Sequence, residues 1–445
     1  MQARITCLDL DTFFVSVERL FVPELEGRPV VVGGPRGSRG VVTAASYEVR
    51  AYGVRAGMPL REASHLAPPD AVFVPPRHGV YEKYSARVRA VLERYTPEVR
   101  AASIDEFYLD FTGCEGIYRR TRDEEGDLAI ERAVRDMCRT IQQETGLPAS
   151  AGIGASRIIA KVASGRAKPK GVLLVPPGTE RDFLFPLPVR RLPGIGPKAE
   201  QRMNADGIRV LGDLASLPPG PLRARYARVF EALNAVLCSD RTPTGFGPER
   251  PAFLEYDPDD LSLGSISNER TFFTGLPDDS QVLRALLCLV ERVCWRARKR
   301  NVTARTITLK LRHSDFSTVL RSRTIGATAE EAIVLGAVKD LYRQHRQSRL
   351  RVRLLGVGLS NLVGEGHGAQ LRLPFARGPQ VGTAIDQVRV KFGYDAVHFG
   401  DATAAPHPDP MGSSRDTPHD ARRRAQPAFA RGGGSHETRR IPRLP

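Results

Sequence analysis

Three carboxylates far apart in the chain are the residues whose type and setting could do chemistry. Asp9 closes a short apolar run, RITCLD, while Asp105 and Glu106 lie in ASIDEF, between two runs that read as the strands of a hairpin. If that hairpin pairs beside the first run, the three acids meet at one sheet edge. Anions held that close repel one another unless cations neutralise them. Hard oxygen donors of this kind suit Mg²⁺, often together with substrate phosphates. Two such ions about 3.5–4 Å apart would clamp the attacking and leaving oxygens of a phosphoryl transfer. The plainer reading is that these are turn and capping residues, since Asp is common in turns, and spacing does not decide between the two. Asp11 and Asp110 are weaker candidates: Asp11 reads as the N-cap of the helix that follows it, and Asp110 as a solvated strand end.

The elements that must position these acids can be read along the chain. RITCLD is a strand, DTFFVSVERL has apolar residues at helical spacing, and PVVVGG is a short buried strand. Residues 78–95 read as helix, VRAASIDEFYLDF as the hairpin, 127–145 as helix, ASAGIG as strand, and ASRIIAKVAS as the start of another helix. Without an insertion at about 22–77, the order is strand, helix, two strands, helix, strand. That is the split βαβ, ferredoxin-like arrangement. The same order returns in GSISNERTFF, a helix over 279–299, TARTITLKLR, TVLRSRTI, a helix over 329–345, and RVRLLGVGLS. Between the two lie a Pro-punctuated helical stretch containing LPGIGPK and a Pro/Thr/Gly-rich linker. AIDQVRVKFGYDAV reads as a short helix and turn, and residues 402–445, rich in Pro, Gly, Ser and Arg, as a disordered tail.

Composition narrows the function classes. The 445 residues carry 66 Lys and Arg against 50 Asp and Glu, a net charge of +16. A surplus of that size points to a polyanion, nucleic acid first and anionic membrane second, with a merely solvated basic surface as the plainer alternative. No run approaches the roughly 18 apolar residues of a membrane span, and the N-terminus lacks a signal-peptide pattern. The six cysteines form no CxxC pair and read as thiols in a reducing compartment. The histidines form no HExxH cluster, which disfavours a zinc enzyme.

Five segments occur in order: LDLDTFFVSVE, SYEVRAYGVRAGMP, ASIDEFYLDF, AGIGASRIIAKVASGRAKPKG and RRLPGIGPK. Together they resemble the Y-family translesion DNA polymerases, in the bacterial DNA polymerase IV branch, over about residues 4–361. The resemblance implies an α+β, multi-domain right-hand polymerase. Its ferredoxin-like palm would be 1–21 and 78–165, its small fingers 22–77, and its helical thumb with a helix–hairpin–helix 166–240. A linker at 241–260, a ferredoxin-like little finger at 261–361, a clamp-binding and C-terminal segment at 362–401 and the tail at 402–445 would follow. It further implies a cytoplasmic, monomeric enzyme with no membrane association, acting on primer–template DNA and deoxynucleoside triphosphates with error-prone, damage-tolerant synthesis.

The resemblance also implies roles for single residues. Asp9, Asp105 and Glu106, with the carbonyl of Leu10, would hold two Mg²⁺ ions. Phe14 would be a steric gate against the ribose 2′-hydroxyl; neighbouring helical residues point about 100° apart, so Phe13 can be core while Phe14 faces substrate. Phe13, Phe14, Thr43, Tyr47, Arg50 and Lys168 would form the nucleotide site, with Lys161 either structural or part of it. Ala44 and Ser46 stand where the family usually has Thr and Asn, and Ile158 and Ile159 replace a more aromatic pattern, which puts nucleotide affinity in doubt. Gly194, Gly196 and Lys198 would bind DNA phosphate at the start of a helix, as would the basic runs WRARKRN, TARTITLKLR and LRSRT of the little finger. Gln370, Leu371, Leu373 and Phe375 in QLRLPF resemble the peptide by which bacterial polymerases bind the sliding clamp. Two rivals remain: a catalytically silent polymerase-like adapter, disfavoured because all three acids are present, and a nucleotidyl cyclase, disfavoured by the helix–hairpin–helix and the basic second unit.

Overall fold

The computed structural model describes residues 3–237, 264–347, 350–364 and 380–400. Among these, packing separates two units. One comprises residues 3–99 and 104–237, the other residues 264–400 with the short stretch 100–103. The expected linker, the sequence QLRLPF and the tail lie outside the described residues.

In the first unit, β1 (Ile5–Leu10) runs between two antiparallel neighbours and is buried along almost its whole length, which is why its sequence is apolar. It turns into α1 (Phe13–Phe21) through Thr12, whose backbone is left-handed at φ 45°, ψ 44°. Thr12 is the N-cap position, and no side chain caps this helix. The expectation that Asp11 caps α1 is therefore corrected. Its carboxylate instead accepts from the Ser150 and Tyr47 hydroxyls and the Lys170 N–H, described below.

The insertion folds on its own small core of Val31, Val42, Ala45, Val49, Val54 and Leu60. It contains β2 (Val30–Val32), β3 (Ala44–Ala45), α2 (Tyr47–Arg50), α3 (Leu60–Leu66) and β4 (Val72–Val74), with a sheet in the order β3-β2-β4. The chain then returns through α4 (His78–Leu92), β5 (Val99–Ala101), β6 (Glu106–Asp110), α5 (Glu115–Tyr118), α6 (Gly126–Thr145), β7 (Ala149–Gly154), α7 (Arg157–Ala167) and β8 (Val172–Leu174). The main sheet has the order β5-β6-β1-β7-β8. Its first four strands are the ferredoxin-like set, and β8 adds a parallel edge beside β7. Asp110 is buried, not solvated: its carboxylate accepts the Thr112 N–H at 2.8 Å and stabilises the turn after β6.

One missing side chain sets how closely α7 approaches this sheet. A Cβ on Gly152 would lie 2.1 Å from the Ser164 nitrogen and 2.2 Å from the Ala160 oxygen. Only glycine admits that approach of helix to strand. The unit ends in short helices, α8 (Glu180–Leu184), α9 (Pro197–Ala205), α10 (Leu211–Ala215), α11 (Pro221–Arg225) and α12 (Ala227–Leu237), with Pro at the starts of α9 and α11.

The second unit has the predicted order of elements: β9 (Ser265–Leu276), α13 (Asp279–Lys299), β10 (Val302–His313), β11 (Thr318–Thr328), α14 (Glu331–His345) and β12 (Val352–Gly364). Asp278 caps α13, its carboxylate accepting the Gln281 N–H at 2.9 Å. The strand order is β11-β10-β12-β9, all antiparallel. This places the second and fourth strands at the centre, whereas the main sheet of the first unit centres its first and third. The reason is burial: β10 and β12 carry the dense apolar alternation that packs into the core, while β11 is largely exposed and takes an edge. A further helix, α15 (Gln380–Phe392), follows, so the predicted helix and turn in AIDQVRVKFGYDAV are present. Among the described residues no helix is long and apolar enough to cross a membrane.

Candidate active site

Register between β1 and β6 places Asp9 directly opposite Glu106. The Leu10 N–H donates to the Asp105 carbonyl at 2.9 Å, so the three acids sit at one end of the paired strands. Each of two carboxylates meets an ammonium from the segment that packs on β7. Lys168 Nζ donates to Asp9, and Lys161 Nζ donates to Glu106. The Cys7 thiol lies 3.8 Å from the other Glu106 oxygen.

The electrostatics follow from crowding. Burial pushes the Asp9 carboxyl up to about 6; Lys168 pulls it back, and the neighbouring Asp105 and Glu106 charges add to the rise. Burial works to lower Lys161, but Glu106, Cys7 and Asp9 outweigh it and hold the ammonium above its ordinary value. Among the described residues no three His, Cys, Asp or Glu side chains are disposed to share one ion. The strand register thus gathers the acids, while two of the three carboxylates, those of Asp9 and Glu106, are paired with lysines. The donor set still fits a hard cation: carboxylate oxygens only, partly buried, and crowded enough to raise a neighbour's pKa.

Along α1, Phe13 is buried and Phe14 is half-buried. The Phe14 ring stacks on Tyr81 at a centroid distance of 4.1 Å and 15° between planes, with His78 edge-on at 5.9 Å. Tyr81 is itself held: its hydroxyl donates to the buried Glu18 at 2.7 Å, and Arg77 donates twice to the same carboxylate at 2.9 and 2.5 Å. Burial and the Glu18 charge push the Tyr81 phenol well above its usual value, so it remains a donor. The sequence analysis missed this brace. Its signal was a lone acid, Glu18, inside the apolar run FFVSVERLF.

Residues 43–50 supply the second part of the site. The Thr43 hydroxyl donates to the Val32 carbonyl at 3.0 Å. The Arg50 guanidinium lies over the Tyr47 ring at 4.9 Å, and its Nε donates to the Ala45 carbonyl at 3.0 Å. Ser46 is fully buried; its hydroxyl accepts the Val30 N–H at 3.0 Å and the Val49 N–H at 3.4 Å as the N-cap of α2. It holds the fold of this small sheet. Tyr47 reaches Asp11, its hydroxyl 3.3 Å from the carboxylate. Burial first, then Asp11, pushes its phenol well up, so it too remains protonated.

Gly194 has φ 93°, a conformation that favours glycine, and Gly196 is the N-cap of α9 with Pro197 next. Lys198, in the first turn of α9, is exposed. The element immediately before this turn is a 3-10 turn, Val189–Arg191, with α8 ahead of it. In the second unit the basic run is partly spent on internal pairs. Arg298 donates to Asp386 at 2.6 and 3.0 Å and to Glu331 at 2.6 Å; Lys310 donates to Glu269 at 2.8 Å. Gln370, Leu371, Leu373 and Phe375 lie outside the described residues.

A ferredoxin-like sheet with acids opposed across its central strands, beside lysines, a stacked phenylalanine and a small fingers-like sheet, defines the palm of a nucleotidyltransferase. Comparison with known proteins agrees. Residues 8–165 match the model of the impB/mucB/samB family, 264–373 that family's C-terminal domain, and 177–208 its HHH motif. A DNA polymerase IV of Dehalococcoides mccartyi strain CBDB1 is 36% identical over 400 residues, 89% of this chain and 97% of that one. Among solved structures, a chimera of the Y-family polymerases Dbh and Dpo4 superposes with a TM-score of 0.66 at 25% identity, covering 81% of this chain and 99% of the chimera. An insertion ternary complex of Dbh DNA polymerase superposes with a TM-score of 0.58, also at 25% identity, over 81% of this chain and 99% of the other. The chain belongs to the Y family of DNA polymerases, in the DNA polymerase IV branch. It is a DNA-directed DNA polymerase of the translesion type, a family that generally uses divalent metal ions.

Proposed function

We propose that the acid edge of β1 and β6 is the catalytic centre, with Asp9, Asp105, Glu106 and the Leu10 carbonyl holding two Mg²⁺ ions. The observation that carries this is the direct opposition of Asp9 and Glu106, with Asp105 beside them. When bound, the ions supply positive charge for the reacting oxygens of the phosphoryl transfer. The reaction joins the primer 3′-oxygen to the α-phosphorus of a deoxynucleoside triphosphate and breaks the bond to the β-phosphate, releasing pyrophosphate. The chain's own work is placement. Phe14, braced by Tyr81, occupies the space a 2′-hydroxyl needs. Thr43, Tyr47, Arg50 and Lys168 meet the triphosphate, and Phe13 anchors the gate helix in the core. Primer–template DNA lies against the N-terminus of α9 through Gly194, Gly196 and Lys198. Gln370, Leu371, Leu373 and Phe375 take the sliding clamp; deleting 370–375 abolishes clamp capture by the purified chain, and retained capture refutes that assignment.

Primer extension tests the centre. Asp105→Asn and Glu106→Gln each lose at least a hundredfold in extension while primer–template affinity stays within a few-fold of the parent, the loss corresponding to about 2.7 kcal/mol of transition-state stabilisation. Extension by either variant at the parent's rate overturns the assignment.

A further inference from the structure

Asp11 is 1% exposed, yet among the described residues no charged side chain is hydrogen-bonded to its carboxylate. Its donors come from three separate parts of the chain. The Ser150 hydroxyl on β7 lies 3.0 and 2.8 Å from the two carboxylate oxygens. The Lys170 backbone N–H donates at 2.7 Å, from a residue held at φ 56°. The Tyr47 hydroxyl reaches across at 3.3 Å. A buried carboxylate survives only where donors satisfy it, and each donor it binds is fixed in return.

Two of those donors lead into the nucleotide site. Tyr47 carries Arg50 over its ring. Lys170 closes the turn that begins at Lys168, whose ammonium meets Asp9. Asp11 itself stands two residues after Asp9, at the end of the strand that carries the acid edge. We infer that Asp11 is a positioning residue: one buried carboxylate sets both the Tyr47–Arg50 segment and the Lys168–Lys170 turn at fixed distance from the catalytic strand. The inference rests on the proposed role of Tyr47, Arg50 and Lys168 in holding the triphosphate. Asp11 touches no substrate; it acts through the groups it anchors. The Tyr47 contact, at 3.3 Å, is the longest of the set, while Ser150 at 3.0 and 2.8 Å and the Lys170 N–H at 2.7 Å keep the carboxylate in place to receive it.

The test is steady-state incorporation of one deoxynucleotide on a primed template, with primer–template affinity and thermal midpoint measured on the same proteins. Asp11→Ala raises KM for the nucleotide at least tenfold, lowers kcat by less than that, and leaves primer–template affinity within twofold. Ser150→Ala, which removes one donor and keeps the carboxylate, moves KM the same way by a smaller factor, and it carries the test if Asp11→Ala does not fold. Combining Asp11→Ala with Ser150→Ala adds less than twofold beyond Asp11→Ala alone, because the Ser150 hydroxyl acts only through that carboxylate. A uniform loss of kcat and DNA affinity, or strict additivity of the pair, overturns the positioning role. Should Tyr47→Phe and Lys168→Ala singly leave KM at the parent value, the triphosphate reading itself fails. Should those two raise KM while neither Asp11→Ala nor Ser150→Ala does, the inference alone fails.

Discussion

Arg389→Met is the perturbation for which the structure allows the firmest magnitude. Glu291 on α13 and Arg389 on α15 are both 0% exposed. The Glu291 carboxylate accepts Arg389 Nη2 at 3.2 Å and the Phe399 N–H at 2.9 Å, with His398 Nδ1 at 3.2 Å. Arg389 also donates to the Val397 carbonyl at 3.2 and 3.0 Å and lies over the Tyr394 ring at 4.5 Å. Removing one member of a buried pair strands the other, at a cost of about 3–5 kcal/mol. The lost ring contact adds about 0.5–2 kcal/mol. Little apolar burial offsets this, since Val390 and Phe392 on the same helix are 77% and 67% exposed. The helix is therefore expected to undock from α13. Trp295, the chain's single tryptophan, reports on that locally, because its ring lies 4.9 Å from Tyr394. In the variant its emission shifts to the red and acrylamide quenching rises, before any global unfolding in urea. Adding Glu291→Leu to Arg389→Met removes the stranded charge and recovers at least half of the loss. An unchanged Trp295 spectrum in the single variant, or a double variant no better than the single, would show that the pair does not hold this segment.

Three other outcomes follow from named contacts. Phe14→Ala raises ribonucleotide incorporation relative to deoxyribonucleotide at least tenfold, about 1.4 kcal/mol of lost discrimination; sugar selection equal to the parent's removes Phe14 from the gate. Gly152→Ala forces a methyl group against the Ser164 nitrogen and the Ala160 oxygen and costs about 1–3 kcal/mol or more; a thermal midpoint within a degree of the parent contradicts the close approach of α7. Primer–template affinity falls as salt rises, with a log–log slope of about −0.9 for each phosphate neutralised; a slope near zero rules out a phosphate-dominated grip.

The acid edge was legible in the sequence because strands announce themselves by apolar alternation and hairpins by their polar turns. Both Asp9 and the Asp105–Glu106 pair sit at such boundaries. Asp11 was misread because a cap is a local explanation, while its real donors come from positions 150, 170 and 47, which no local pattern links to it. The strand order of the second unit was not legible either. An alternating βαββαβ chain satisfies antiparallel pairing in more than one threading, and the choice rests on which strands bury most surface. The charge count showed a basic chain but not where charge is consumed: Arg298, inside WRARKRN, is bound by Asp386 and Glu331, and Arg389 by Glu291. β8 went unseen because three residues, Val172–Leu174, carry too little periodicity to register.

The acid edge and the helix beside it are parts of one device. Asp9 and Glu106 crowd each other across two paired strands, and burial sharpens their repulsion. The charges that answer them come from Lys161, on α7, and Lys168, one residue past its end. Those ammonium groups reach the carboxylates because α7 lies against β7, and it lies there because Gly152 has no side chain. A substitution at Gly152 should therefore do more than loosen packing. By lifting α7 it withdraws both lysines from the acids, so Gly152→Ala should raise the Asp9 carboxyl of the metal-free protein further above about 6. A titration of the Asp9 carboxyl by NMR checks this, and a midpoint equal to or below the parent's would break the link between backbone approach and charge balance.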